Sequence, residues 1–164
     1  MSRLRLLPAL VVAATLVACG DGGSVSASCE EVVTEELDPG WTVHLLPSAE
    51  EPEYLTDPPT SGAHFAAEPV SGIADGPLDR PIQVTILEVG GVLFQYDPDE
   101  LDDADVGRLE RLADEAVVVA PGVDLPSPVV ATAWVTKQTC DGVDLDTLTR
   151  FVEEQGGSGP GVEQ

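Results

Sequence analysis

A chain of 164 residues with 30 Asp and Glu against 7 Lys and Arg carries a formal charge of -23. Such a chain lacks the basic surface that phosphate neutralisation requires, so no nucleic-acid partner and no polybasic grip on anionic lipid is expected. Its hydrophobic fraction of 43% is that of a globular protein, and the length suits one domain, so acidity here does not imply disorder.

The N-terminus reads as an address. Arg3 and Arg5 precede an apolar run from Leu6 to Ala18, interrupted early by Pro8. At 1.5 Å per residue the run covers about 20 Å, short of a hydrocarbon core of roughly 30 Å. Residues 1–18 are therefore expected to be a cleaved signal peptide rather than a permanent span. The last four residues of this region, Leu16-Val17-Ala18-Cys19, resemble the lipobox of bacterial lipoproteins. That resemblance implies lipidation of Cys19 with palmitate-type acyl chains, two or three of which would hold the protein on a membrane. Residues 19–28 then form a small, polar, flexible tether. The expected location is the extracytoplasmic side of the cell membrane, reached through the lipid anchor. Loss of the signal removes two arginines and no acids, leaving 5 basic and 30 acidic residues, net -25.

Cys29 and Cys140 remain, and an even pair in an oxidising compartment is expected to form one disulfide. From Leu37 to Pro81 the chain is rich in Pro and Gly and reads as ordered loops. Ile82-Gln83-Val84-Thr85-Ile86-Leu87 alternates as a strand, Glu88 to Gly91 reads as a turn, and Val92 to Tyr96 as a second strand, together predicting a hairpin. A helix is predicted from Asp99 or Asp102 to Asp114, with Leu101, Ala104, Leu109 and Leu112 as its apolar stripe and Arg108 and Arg111 near its end. Val117 to Val119 reads as a short strand, Pro121 to Pro128 as a rigid loop, and Val129 to Val135 as another strand. Asp144 or Asp146 caps a last helix, whose Leu145, Leu148, Phe151 and Val152 face the core, and Gly156-Gly157 stops it. The expected domain spans 29–156, with 157–164 as a disordered tail. Its fold class is α+β: a single small domain with a mixed or antiparallel sheet and two helices on one face.

Two histidines, His44 and His64, are the whole supply. His64 closes Pro58-Pro59-Thr60-Ser61-Gly62-Ala63-His64, a stretch stiffened by prolines and bent at Gly62. Ser61 and His64 suggest a hydrolase, but no Gly-x-Ser-x-Gly elbow is present, and a turn whose histidine caps backbone groups is the simpler reading. Strand parity would place Glu88 on the core side, where its carboxylate needs partners. Trp134, in a chain this poor in aromatics, is expected in the core. No stretch has the spacing of a calcium loop.

Taken together, Pro58 to His64, Gln83 to Gly90 with Leu87, Glu88 and Gly90, Val119 to Gly122, Thr132-Ala133-Trp134 and Cys140-Asp141 resemble the bacterial domain of unknown function 3105 family, from about Cys29 to Val152. The resemblance implies a secreted, lipid-anchored or single-span protein and carries no established activity. Family members have two further histidines where this chain has Thr85 and Val89. Three candidate ligands, His44, His64 and Glu88, would remain for a transition metal, the one cofactor worth considering. The reading that results is a non-enzymatic binding or accessory module at the cell envelope, with an envelope protein or ligand as partner. A metal-binding protein or metal-dependent enzyme using His44, His64 and Glu88 is the alternative, and a hydrolase using Ser61 the second.

Overall fold

The computed structural model describes residues 27–162. The expected signal peptide, Cys19 and nearly all of the tether lie outside that range. Among the described residues no helix is long and apolar enough to cross a membrane.

The elements run β1 (Val33–Thr34), β2 (His44–Leu45), β3 (His64–Phe65), β4 (Gly72–Ile73), α1 (Arg80–Glu88), β5 (Val92–Tyr96), α2 (Asp103–Leu109) with a 3-10 turn Glu110–Leu112, β6 (Val117–Pro121), β7 (Val129–Ala133), β8 (Thr136–Cys140) and α3 (Leu145–Gln155). Six strands make a mixed sheet in the order β1-β8-β7-β5-β6-β4, and β2 with β3 forms a separate parallel pair. In the main sheet β5 and β4 both run parallel to β6, while β7 and β8 are antiparallel. The α+β fold class is as expected.

The stretch read as a strand at Ile82–Leu87 is helix α1, so the expected hairpin with Val92–Tyr96 does not form. The reason is burial on nearly every side: Pro81, Gln83, Val84, Thr85, Ile86 and Leu87 are all covered. A helix enclosed all round has no polar face, so its 3.6-residue period disappears from the sequence and β-branched alternation dominates the pattern. A second difference is β8, which pairs with β7 through a tight turn at Trp134 and Val135, so the expected strand ends at Ala133.

The sheet separates two apolar layers. On one face Leu109 of α2 and Leu148 and Phe151 of α3 pack on Phe94, Val117, Val119, Val129 and Ala131, as expected for two helices on one face. On the other, Ile86 and Leu87 of α1 pack on Leu93, Val118 and Ala120. Asp102 caps α2 by accepting the Asp105 amide at 2.9 Å, and Asp144 caps α3 by accepting the Thr147 amide at 3.1 Å. Cys29 and Cys140 form a disulfide across 111 residues. Beyond α3, in the stretch read as a tail, the Gly157 amide donates to the Gly90 carbonyl at 2.8 Å and the Gly161 amide to the Glu88 carbonyl at 3.0 Å. This segment is laid across the C-terminal end of α1.

Candidate functional site

Two neighbouring arrangements hold the polar chemistry, and both depend on α1. The first is the Pro58–His64 loop, which lies against α1 and the end of the β7–β8 hairpin. The Val135 amide donates to the Thr60 carbonyl at 3.0 Å, and Thr85 on α1 accepts the Phe65 amide at 3.1 Å. Asp38 organises the interior of the loop. Its amide donates to the Ser61 hydroxyl at 2.9 Å, and its carboxylate accepts the amides of Gly40 at 2.7 Å and Leu55 at 3.3 Å. Tyr54 donates to the Ala63 carbonyl at 2.7 Å, and Gly62, at φ 134°, passes so close to the Tyr54 ring that a Cβ would fall 2.7 Å from it. Burial beside the Glu51 carboxylate pushes the Tyr54 hydroxyl well above its ordinary range.

His44 and His64 are cross-strand partners in the β2–β3 pair, with ring centroids 4.9 Å apart and planes at 84°. His64 is 1% exposed and its Nδ1 lies 2.9 Å from the Gly62 carbonyl. A carbonyl only accepts, so Nδ1 carries a proton, and in the neutral ring Nε2 then presents a lone pair. That Nε2 is buried without a hydrogen-bond partner. No hydrogen bond joins Ser61 and His64: the Ser61 oxygen accepts the Asp38 amide, and the His64 ring bonds through Nδ1 to the Gly62 carbonyl. Glu88 stands apart from this pair. It ends α1, partly buried, with its carboxylate against Gly161. Among the described residues no group of three or more His, Cys, Asp or Glu is arranged to hold a metal ion. Trp134 is half-buried over the α1-side layer, edge-on to Trp41 at 6.4 Å.

The second arrangement is a crevice that no sequence motif announces. The loops leaving the carboxyl ends of the parallel strands β4, β5 and β6 diverge there, the first to α1 on one face and the second to α2 on the other. In parallel sheets such a point of divergence leaves a crevice. Here it holds a cavity of about 270 Å³ lined by Asp57, Pro58, Leu78, Arg80, Gln83 and Gln95 among others. A second cavity of about 410 Å³ adjoins it, sharing Pro77 and Val123 and adding Asp97, Asp99 and Asp124.

Two buried carboxamides mark the first cavity. Gln83 is 5% exposed and Gln95 is 3% exposed. The Gln83 Nε2 donates to the Leu78 carbonyl at 2.7 Å, which fixes the amide orientation. The Oε1 of each glutamine is buried without a partner. Arg80 is already engaged: its Nε donates to Glu51 at 2.7 Å and its guanidinium lies 5.5 Å from the Tyr54 centroid. The hydrogen bond to Glu51 holds the Arg80 pKa above its ordinary value. On the same sheet face, buried Lys137 lies 3.5 Å from Glu35. Burial pulls its ammonium below the usual lysine range, with Glu35 opposing the shift.

Sequence reading missed Asp38, Tyr54, Arg80, Gln83 and Gln95. A signal was available for Gln95, an uncharged polar residue inside the otherwise apolar strand Val92-Leu93-Phe94-Gln95-Tyr96. Asp79-Arg80-Pro81 was the corresponding signal for α1, since Pro is favoured in the first helical turn after an Asp.

Fold and site together define a small α+β domain with helices on both faces of a mixed sheet, a histidine pair beside a buried loop, and a crevice at the carboxyl ends of its parallel strands. The family model described as a protein of unknown function (DUF3105) matches residues 46–164, and the chain belongs to this family. The match contains Pro58 to His64, Glu88, Trp134 and Cys140, whereas His44 and Cys29 precede it. No curated protein and no solved structure matches the chain.

Proposed function

We propose that the protein is a lipid-anchored extracytoplasmic module of the cell envelope that works by binding a small ligand in the crevice between β4, β5 and β6. The observation that carries the binding reading is the pair of unpaired carboxamide oxygens on Gln83 and Gln95. Leaving a buried acceptor without a partner costs about 1 to 3 kcal/mol, and a pocket with a few convergent polar groups is where a ligand would recover that cost. The lipobox-like Leu16 to Cys19 and the Cys29–Cys140 disulfide support the location, since structural disulfides belong to oxidising compartments. The anchor is tested by growing cells in labelled palmitate: label on the wild type and none on Cys19→Ala is expected, and an unlabelled wild type refutes it.

One observation favours a second reading, in which His44 and His64 bind a transition metal without Glu88. Nδ1–H held by a carbonyl with Nε2 left free is the arrangement of a metal-ligating imidazole. Two imidazoles on one tetrahedral ion, with metal–nitrogen bonds of about 2 Å, would also bring their ring centroids roughly 5 Å apart. Metal analysis of untagged protein after exposure to copper or zinc tests it. Stoichiometric metal that disappears in His64→Ala is the supporting result, and metal-free wild type rejects it.

A further inference from the structure

We infer that the crevice takes a small organic cation, an ammonium or guanidinium group on a short apolar stem. This rests on the reading of the crevice as the binding site and adds the chemical class of its ligand. The Leu78 carbonyl fixes the orphaned atom of Gln83 as an acceptor, and Gln95 presents its Oε1 as a second, so a ligand that brings hydrogen-bond donors is the match. An ammonium brings three and a guanidinium five.

Charge points the same way. Glu51, Asp57 and Asp79 line the first cavity, and Asp97, Asp99 and Asp124 line its neighbour. Arg80 is the one basic residue in either wall, and its guanidinium is held by Glu51 and stacked on Tyr54. An anion would therefore meet carboxylates and no free positive group. A neutral polyol could satisfy the two oxygens but would gain nothing from the surrounding negative potential, which such a cleft concentrates. A bare divalent ion is disfavoured because, among the described residues, the acids are not gathered into any group of three fit for a metal. The walls between them, Pro58, Pro77, Leu78, Val123 and Leu125, suit a hydrocarbon stem. At about 270 Å³ the first cavity falls just below the usual range of roughly 300–1,000 Å³ for ligand pockets, which sets the scale at a few carbon atoms rather than a large ring system.

The test uses the full chain in detergent and a series of equal length: cadaverine, pentanediol and glutarate, which place amine, hydroxyl or carboxylate on the same five-carbon stem. Agmatine and short peptides bearing one lysine or one arginine accompany them, to separate a free amine from a side chain as the source. Binding is read from the side-chain NH2 resonances of Gln83 and Gln95 and from calorimetry at physiological salt. Cadaverine or agmatine, or the basic peptides, are expected to shift both resonances and to bind about tenfold or more tightly than pentanediol, with Gln95→Met weakening them about tenfold. Glu153→Gln, outside the crevice, should leave the affinity unchanged. If pentanediol or glutarate shifts the resonances and the amines do not, the cationic class is overturned while the crevice stands as a binding site. If the amines bind without shifting either glutamine, or lose affinity equally in Glu153→Gln, they are only condensing on an acidic surface and the inference fails. If nothing in the series or in a general fragment set perturbs either glutamine, both readings fall.

Discussion

The Thr85 hydroxyl accepts the Phe65 amide at 3.1 Å and lies 2.8 Å from the Pro81 carbonyl, so one side chain of α1 is bonded both to its own helix and to the strand that carries His64. Thr85 is 4% exposed. Thr85→Val keeps the shape and deletes the acceptor, leaving the Phe65 amide without its partner. A loss of about 1 to 2 kcal/mol in urea unfolding is expected, with Thr85→Ser much closer to wild type. Equal stability in the valine variant would show that the bond does not tie the loop to the helix.

The Cys29–Cys140 bridge closes 111 residues of chain, and its main effect is on the unfolded state. A loop of that length is worth about 4 to 5 kcal/mol in the chain-entropy treatment. Cys29→Ala/Cys140→Ala is therefore expected to lose on the order of 4 kcal/mol, a large share of a stability of roughly 5–15 kcal/mol for a typical domain. Chemical denaturation of oxidised, reduced and doubly substituted protein measures it. Thiol titration of the denatured wild type should find neither cysteine free.

How much of this architecture was readable in the residues differs between its two halves. Helix α3 announces itself through Asp144, the spacing of Leu145, Leu148, Phe151 and Val152, and the glycines after it, because one of its faces meets water. The α1 segment hides, because six of its nine residues are buried and they lie on nearly every side of it. Misreading Ile82–Leu87 as a strand had a further cost: with an antiparallel hairpin in place of strand, helix and parallel strand, no crevice at strand ends can be foreseen. The polar residues at the site follow the same logic. His44 and His64 were legible as chemistry and their pairing was not, since it is made by a two-residue strand register. Gln83 and Gln95 were legible as sequence and not as a pair, since they meet only through the packing of α1 on the sheet.

Acid should weaken the protein through two carboxylates at its edges. The Thr147 amide donates to Asp144, and the Ser28 amide and hydroxyl donate to Asp141, so each carboxyl titrates below its ordinary value of 3.8. A folded pKa below the unfolded one means that the stabilisation is complete above the ordinary carboxylate range. It is lost as pH falls through the folded value. Stability is therefore expected to be level from neutral pH down to about pH 5 and to fall below about pH 4. Asp144→Asn, which still caps α3, should stay near wild type at neutral pH and show a shallower acid limb, whereas Asp144→Ala should lose about 1 kcal/mol at neutral pH. Thermal unfolding across pH 3 to 7 distinguishes the three proteins, and parallel acid limbs in wild type and Asp144→Asn would remove Asp144 from the account.

Gly62 carries the sharpest local constraint in the Pro58–His64 loop. Its φ of 134° lies in a region that residues with a side chain rarely occupy, and a Cβ there would stand 2.7 Å from the Tyr54 ring. Its carbonyl also fixes the ring of His64. Gly62→Ala is expected to cost at least about 2 kcal/mol, from backbone strain together with the clash. Gly76, with nothing within 4 Å of its Cβ position and no positive φ, supplies the control. Gly76→Ala should change stability by no more than about 0.5 kcal/mol. Combining Gly62→Ala with Tyr54→Ala separates the two causes, since removing the ring relieves the clash and leaves the backbone strain. If the double variant loses less than the sum of the single losses but more than Tyr54→Ala alone, both causes operate. A Gly62→Ala protein as stable as wild type would mean that the loop can reshape around the new methyl group, and that the His64 ring is not held by a rigid turn.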